Sequence, residues 1–167
     1  MLNEKVSKLI NEQINKEMFS AYLYLDMSNY YINKGLTGFA NWYNIQAKEE
    51  MDHAIIFITY LQNNNFEVVL EAIAKPTIDY ADNKAPIKES LKHEQFVTAS
   101  INAIFSAAVT VNDFRTQQFL QWFIREQGEE EKNVTELLVK YDWAKESLYL
   151  LDKELLARVY TPATFVF

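Results

Sequence analysis

No glycine or proline stands between Gly38 and Pro76, and none between Pro86 and Gly128. Over stretches of that length only long, unbroken elements fit. The 167-residue chain holds three glycines and three prolines in all, where average usage gives about 20 together. A turn-rich β-sandwich is excluded, and helices remain.

Apolar periodicity divides the chain into four long helices and a short one. The first is expected over about 4–32, with an inward line of Val6, Leu9, Gln13, Glu17, Ser20, Tyr24, Met27 and Tyr31. Gly35 and Gly38 mark a short turn, which implies an antiparallel neighbour. The second helix, about 39–63, follows Phe39, Tyr43, Gln46, Glu50, His53, Phe57 and Tyr60, and ends at Asn63-Asn64-Asn65. Residues 66–84 carry Pro76 and no helical period. Extended, they reach about 60 Å, whereas a 25-residue helix is only about 38 Å long. This linker can therefore cross the bundle end to end and leave the second and third helices parallel. The third helix, about 86–112, follows Ile87, Leu91, Glu94, Thr98, Ile101, Phe105 and Ala108. The fourth, about 114–142, follows Phe119, Phe123, Gln127, Glu130, Val134, Leu137 and Tyr141, and a short fifth covers about 145–157. The expected fold is one all-α domain over 1–167, a four-helix bundle with one long crossover and an appended helix. Trp42, Trp122 and Trp143 are expected at buried helix contacts.

Each inward line is interrupted by residues that bind metals: Glu17, then Glu50 and His53, then Glu94, then Gln127 and Glu130. An unpartnered buried carboxylate costs several kcal/mol, and burial tends to neutralise it. Four near one level of one core repel each other. No arginine is placed to relieve them: Arg115 precedes the level by three turns and Arg125 sits off the inward line. A bound cation resolves the conflict. Glu50-x-x-His53 puts two ligands on one helical face, and single glutamates from other helices complete the pattern of di-iron carboxylate bundles. Tyr24 lies two turns beyond Glu17 on the same face, where it is either a redox neighbour or a core tyrosine. His93 points about 100° away from Glu94 and is expected to pack rather than ligate.

Composition narrows the partners. There is no cysteine, so thiolate zinc sites, iron–sulfur clusters and disulfides are absent, and two histidines are too few for a three-histidine site. The formal charge of −7 comes with no basic cluster, which argues against nucleic acid and suits a cation. The N-terminus shows no export signature, and the longest strictly apolar run, Ala54 to Ile58, is too short to span a membrane. A cytoplasmic location is expected.

Several stretches together resemble the bacterial non-haem ferritins of the ferritin-like superfamily. They are Asn11-Glu12-Gln13 through Glu17, Glu49-Glu50-Met51-Asp52-His53, His93-Glu94-Gln95-Phe96, Phe119 to Phe123 with Glu126-Gln127, Glu129-Glu130-Glu131-Lys132, and Leu148 to Leu155. The resemblance implies iron storage in a hollow homo-oligomeric shell of 24 subunits, fed by a ferroxidase centre that oxidises Fe(II) with O2 or H2O2. It implies a first iron on Glu17, Glu50 and His53, and a second on bridging Glu50 with Glu94 and Glu130, with Gln127 beside them and Tyr24 nearby. It also implies a third iron site matching Glu49, Glu126, Glu129 and Glu130. No haem is expected, because Gln127-Gly128-Glu129-Glu130 replaces the second Glu-x-x-His of haem-binding bacterioferritins, although Met51 falls where those proteins place a haem ligand. A haem bacterioferritin, a twelve-subunit starvation-type ferritin and a metal-free structural bundle are the rival readings.

Overall fold

The computed structural model describes residues 3–165, which form five helices. They are α1 Glu4–Asn33, α2 Thr37–Asn63, α3 Ala85–Thr110, α4 Phe114–Ala144 and α5 Tyr149–Leu156. Asn3 starts α1 by accepting from the backbone N–H groups of Lys5 and Val6 at 3.0 and 3.4 Å. The first three helices end in the same way. Gly35, Asn65 and Asn112 adopt positive φ (72°, 57° and 54°), and the residue after each returns its N–H to a carbonyl of the last turn. This is the Schellman closure, in which asparagine can stand in for glycine. It lets a chain so poor in glycine still make sharp helix ends. Asp113 then starts α4 by accepting from the Thr116 N–H at 3.1 Å.

The linker between α2 and α3 climbs along α1. Asn11 pairs with the Val69 backbone in both directions, at 2.8 and 2.9 Å, and Asn15 donates to the carbonyls of Glu71 and Ala72 at 3.3 Å. Further along, the Tyr80 hydroxyl donates to Asp26 and that of Tyr31 to the Asn83 carbonyl. The linker therefore runs from the N-terminal to the C-terminal end of α1, opposite to α2, and α3 starts at the end where α2 starts. Side-chain amides satisfy its backbone where no sheet could.

The α2 start has no capping side chain of its own. Instead Asp152 of α5 accepts from the N–H groups of Gly38 and Phe39 at 2.8 and 3.0 Å. A carboxylate at a helix N-terminus is stabilising by both hydrogen bonding and the helix dipole. The approach is so close that a Cβ on Gly38 would lie 1.6 Å from the Asp152 backbone oxygen. Asn41 adds a bond to the Leu155 carbonyl at 3.2 Å.

The core is in two parts. One holds Val6, Ile10, Ile14, Phe57, Ile101 and Phe123, and the other Met27, Tyr31, Phe39, Tyr43, Ile87 and Leu137. The expected inward lines are followed with small shifts. Leu9 is only half-buried, and its neighbour Ile10 takes the core place. Trp42 and Trp122 are half-buried, but Trp143 is 80% exposed, contrary to expectation. It lies two residues past Tyr141, hence about 200° around the helix from the inward line. The fifth helix begins at Tyr149 rather than 145, because a turn at Ala144–Ser147 intervenes.

Gly38→Ala is expected to dislodge α5 while leaving the bundle helical, since the new methyl meets backbone and cannot be accommodated by a rotamer change. The cost should be about 2 kcal/mol or more. Thermal unfolding and faster proteolysis around residues 145–158 are the measurements.

Candidate metal centre

Between the two apolar clusters lies a layer of fully buried polar side chains. Glu17, Gln46, Glu50, His53, Glu94, Gln127 and Glu130 are all less than 5% exposed. Helical phase brings them there: each sits on its helix's inward line, at the height where four lines meet. Donor atoms of Glu17, Glu50 and His53 lie within 4.8 Å of one another. His53 Nδ1 is 3.5 Å from Glu50 Oε2, and His53 Nε2 is 4.0 Å from Oε1 of Glu126. The sequence-derived set for a first iron is thus gathered in space.

Glu94 and Glu130 are held differently. Glu94 accepts from the Tyr24 hydroxyl through a short bond and from Gln127 Nε2 at 3.0 Å. Glu130 accepts from Gln46 Nε2 at 2.8 Å. On the other side Gln13 Nε2 donates to Glu17 at 2.7 Å. The Gln13 carbonyl oxygen accepts from Ser100, whose own oxygen accepts from Lys16, each at 2.6 Å. Since ammonium only donates, this chain has one direction, and it presents an N–H to Glu17. The second atom of several groups stays unsatisfied. Glu17 Oε2, Glu50 Oε2 and both ring nitrogens of His53 are buried with no hydrogen-bond partner among the described residues. Buried groups of this kind are normally paired. Carboxylate oxygens and imidazole nitrogens orphaned together are a donor set for a cation.

The electrostatics point the same way. Burial, and then Glu50, pushes Glu17 well above the usual carboxylate range. Burial and Glu94 do the same to Glu50. Burial raises Glu94 too, while Glu130 is pushed up to about 8 by burial and by Glu94. Tyr24 is held protonated by burial and by Glu94. His93 is lowered to about 4 by burial, packs against Phe19 and Tyr24, and shares a 2.7 Å hydrogen bond with Ser20. It takes no part in the layer.

The remaining acidic residues sit at the margin. Glu126 is half-buried and Glu129 exposed. Glu49 is half-buried and receives both oxygens' worth of hydrogen bonding from Arg158 Nη2, at 2.8 and 3.1 Å. Met51 faces outward at 41% exposure. Sequence reasoning did not single out Gln13 and Gln46 as supports. The available signal was a polar residue one turn before each of Glu17 and Glu50 on the same line. Ser100 and Arg158 carried no local signal at all.

A family model described as a ferritin-like domain matches residues 7–143. A probable bacterial non-heme ferritin-like protein of Haemophilus influenzae is 37% identical over 158 residues, 93% of this chain and 96% of the relative. The bacterial non-heme ferritin of Campylobacter jejuni is 41% identical over 131 residues, 78% of either chain. Among solved structures, an engineered closed form of the Archaeoglobus fulgidus ferritin superposes with a TM-score of 0.94 at 36% identity, covering 96% of this chain and all of that one.

A pH dependence follows from the carboxylate layer. Glu130 titrates at about 8 in the folded metal-free protein against 4.5 for a free side chain. Between these values the folded state keeps a proton that the unfolded chain has lost. Stability of the metal-free protein is therefore expected to fall as pH rises from about 4.5 to about 8. Denaturation midpoints in urea across that range should show the decline, and Glu130→Gln should make it shallower.

Proposed function

Because the chain belongs to the ferritin family, whose general role is iron storage with iron oxidation, we propose that it is a ferroxidase storing iron as ferric mineral. The observation that carries this reading is the buried layer with orphaned oxygens and imidazole nitrogens on Glu17, Glu50 and His53. Fe(II) is the substrate. Glu17, Glu50 and His53 receive the first ion, and Glu50 bridges to a second held by Glu94 and Glu130. Gln127 and Gln46 keep the latter carboxylates aimed by donating to one oxygen of each. The two ions give one electron each to O2, which with two protons leaves as H2O2; H2O2 serves as an alternative oxidant. A nitrogen donor stands on one side only, so the all-oxygen side holds iron more loosely and passes it on. When a single Fe(II) meets H2O2, Tyr24, hydrogen-bonded to Glu94, supplies the second electron that reduction to two waters requires, its proton passing to that carboxylate.

Glu126, Glu129 and Glu130 occupy one helical face at i, i+3 and i+4. With Glu49 they form our proposed third iron site, by which ions move between the centre and the mineral. Four carboxylates without nitrogen make a hard, labile site. Assembly into a 24-subunit cytoplasmic shell is part of the same reading. It is supported by apolar side chains exposed on the last turn of α4 and on α5, namely Trp143, Tyr149, Leu150 and Leu156, between 53% and 80% exposed. Among the described residues no helix is long and apolar enough to cross a membrane.

Glu17→Ala combined with His53→Ala is expected to leave the assembly folded and to abolish rapid oxidation, leaving the uncatalysed rate in air. Stopped-flow absorbance after adding two Fe(II) per subunit measures it. Retention of the wild-type rate would refute the assignment.

A further inference from the structure

The segment after α5 turns back along α2 rather than leaving the molecule. Three attachments fix it. Arg158 binds Glu49. The Tyr160 hydroxyl and the Ala163 N–H both donate to Asp52 Oδ2, at 2.6 and 3.0 Å. Phe165 packs on Phe119 and Trp122, and Trp122 in turn lies edge-on to His53. The strap thus passes over Glu49 and Asp52, on the turn of α2 that carries Glu50 and His53.

Arg158 is the only one of the chain's three arginines in an ion pair among the described residues. Its guanidinium lies 4.2 Å from the Trp42 ring and donates to the Trp42 carbonyl at 3.4 Å, contacts that do not involve Glu49. Arginine and carboxylate side chains are each only about a fifth exposed (22% and 21%), so water screens the pair poorly. A cation is thus already seated on one carboxylate of the third site, and Trp42 would keep it beside Glu49 even if the ion pair opened.

On the four-carboxylate reading of that site, we infer that Arg158 is the residue that sets its affinity: the guanidinium competes with a divalent ion for Glu49. A metal arriving at Glu49 must break a charge-assisted bond and then sit next to a fixed positive charge. The competition keeps the third position weak, so ions pass through rather than lodge there. The effect is local, because Arg158 makes no hydrogen bond or ion pair with Glu17, Glu50 or His53.

Equilibrium dialysis of Zn(II), a redox-silent substitute for Fe(II), into the mineral-free assembled protein tests this. The wild type should show two tight ions per subunit and a weaker third. Arg158→Gln should tighten the third by on the order of tenfold, the scale of about 1.4 kcal/mol for one such bond. Arg158→Lys, which keeps the charge, should stay within about twofold of wild type, and Glu49→Gln should lose the third ion in either background. Tyr160→Phe loosens the strap without touching Glu49 and should leave the third affinity unchanged. An equal third affinity in wild type and Arg158→Gln overturns the role of Arg158 alone. So does a gain in Tyr160→Phe as large as in Arg158→Gln, since the strap and not the charge would then be responsible. Two ions and never a third, in wild type and Arg158→Gln alike, removes the four-carboxylate site itself and the inference with it.

Discussion

Four carboxyl groups share the dry interior of one helical bundle, and their mutual repulsion is the constraint to which the rest of the structure answers. Left alone, such groups take up protons; that is what burial does to Glu17, Glu50, Glu94 and Glu130. The surrounding side chains favour the ionised form at chosen atoms. Gln13, Gln46, Gln127 and Tyr24 each donate to one oxygen, and the orphaned oxygens of Glu17 and Glu50 remain for a metal. The two apolar clusters above and below bear the stability that the polar layer does not contribute. A bundle with one continuous apolar core would be more stable, and could not hold this donor set.

The periodic part of this design was legible in the sequence. Every residue on the expected line of α2, from Phe39 to Tyr60, is buried, because a helix with no glycine or proline over that span keeps its phase. The exchange of Leu9 for Ile10 shows the limit: adjacent residues differ by only 100°, and two apolar neighbours compete for one place. Trp143 departs from the expectation because it lies about 200° around α4 from the inward residue Tyr141. The remaining departures concern pairs far apart in the chain. Asn11 with Val69 and Arg158 with Glu49 are separated by 58 and 109 residues. No period encodes such a pair, and nothing local distinguishes Asn11 from a surface asparagine or Arg158 from a solvated arginine.

The buried polar layer was legible for the same reason as the fold. Glutamate and histidine on an apolar line are costly, and the four lines are in phase, so the cost falls at one height. The supporting amides were less visible, since glutamine on a helix carries little cost and so little information. Their contribution is directional. Each lends its N–H to a carboxylate, and in the one chain that can be followed outward, through Ser100 to Lys16, the order of donors is fixed by an ammonium group.

The capping of α2 by Asp152 bears on the order in which the molecule forms. The bond between Gly38 and Asp152 spans 114 residues. Local contacts form quickly, and those that close long loops form late. As the chain leaves the ribosome, α1 and α2 can pair as a hairpin well before residue 152 exists, and through that interval the first turn of α2 frays. Only the arrival of Asp152 closes it. The first turn of the helix bearing Glu50 and His53 thus gains its cap only after α5 has been made.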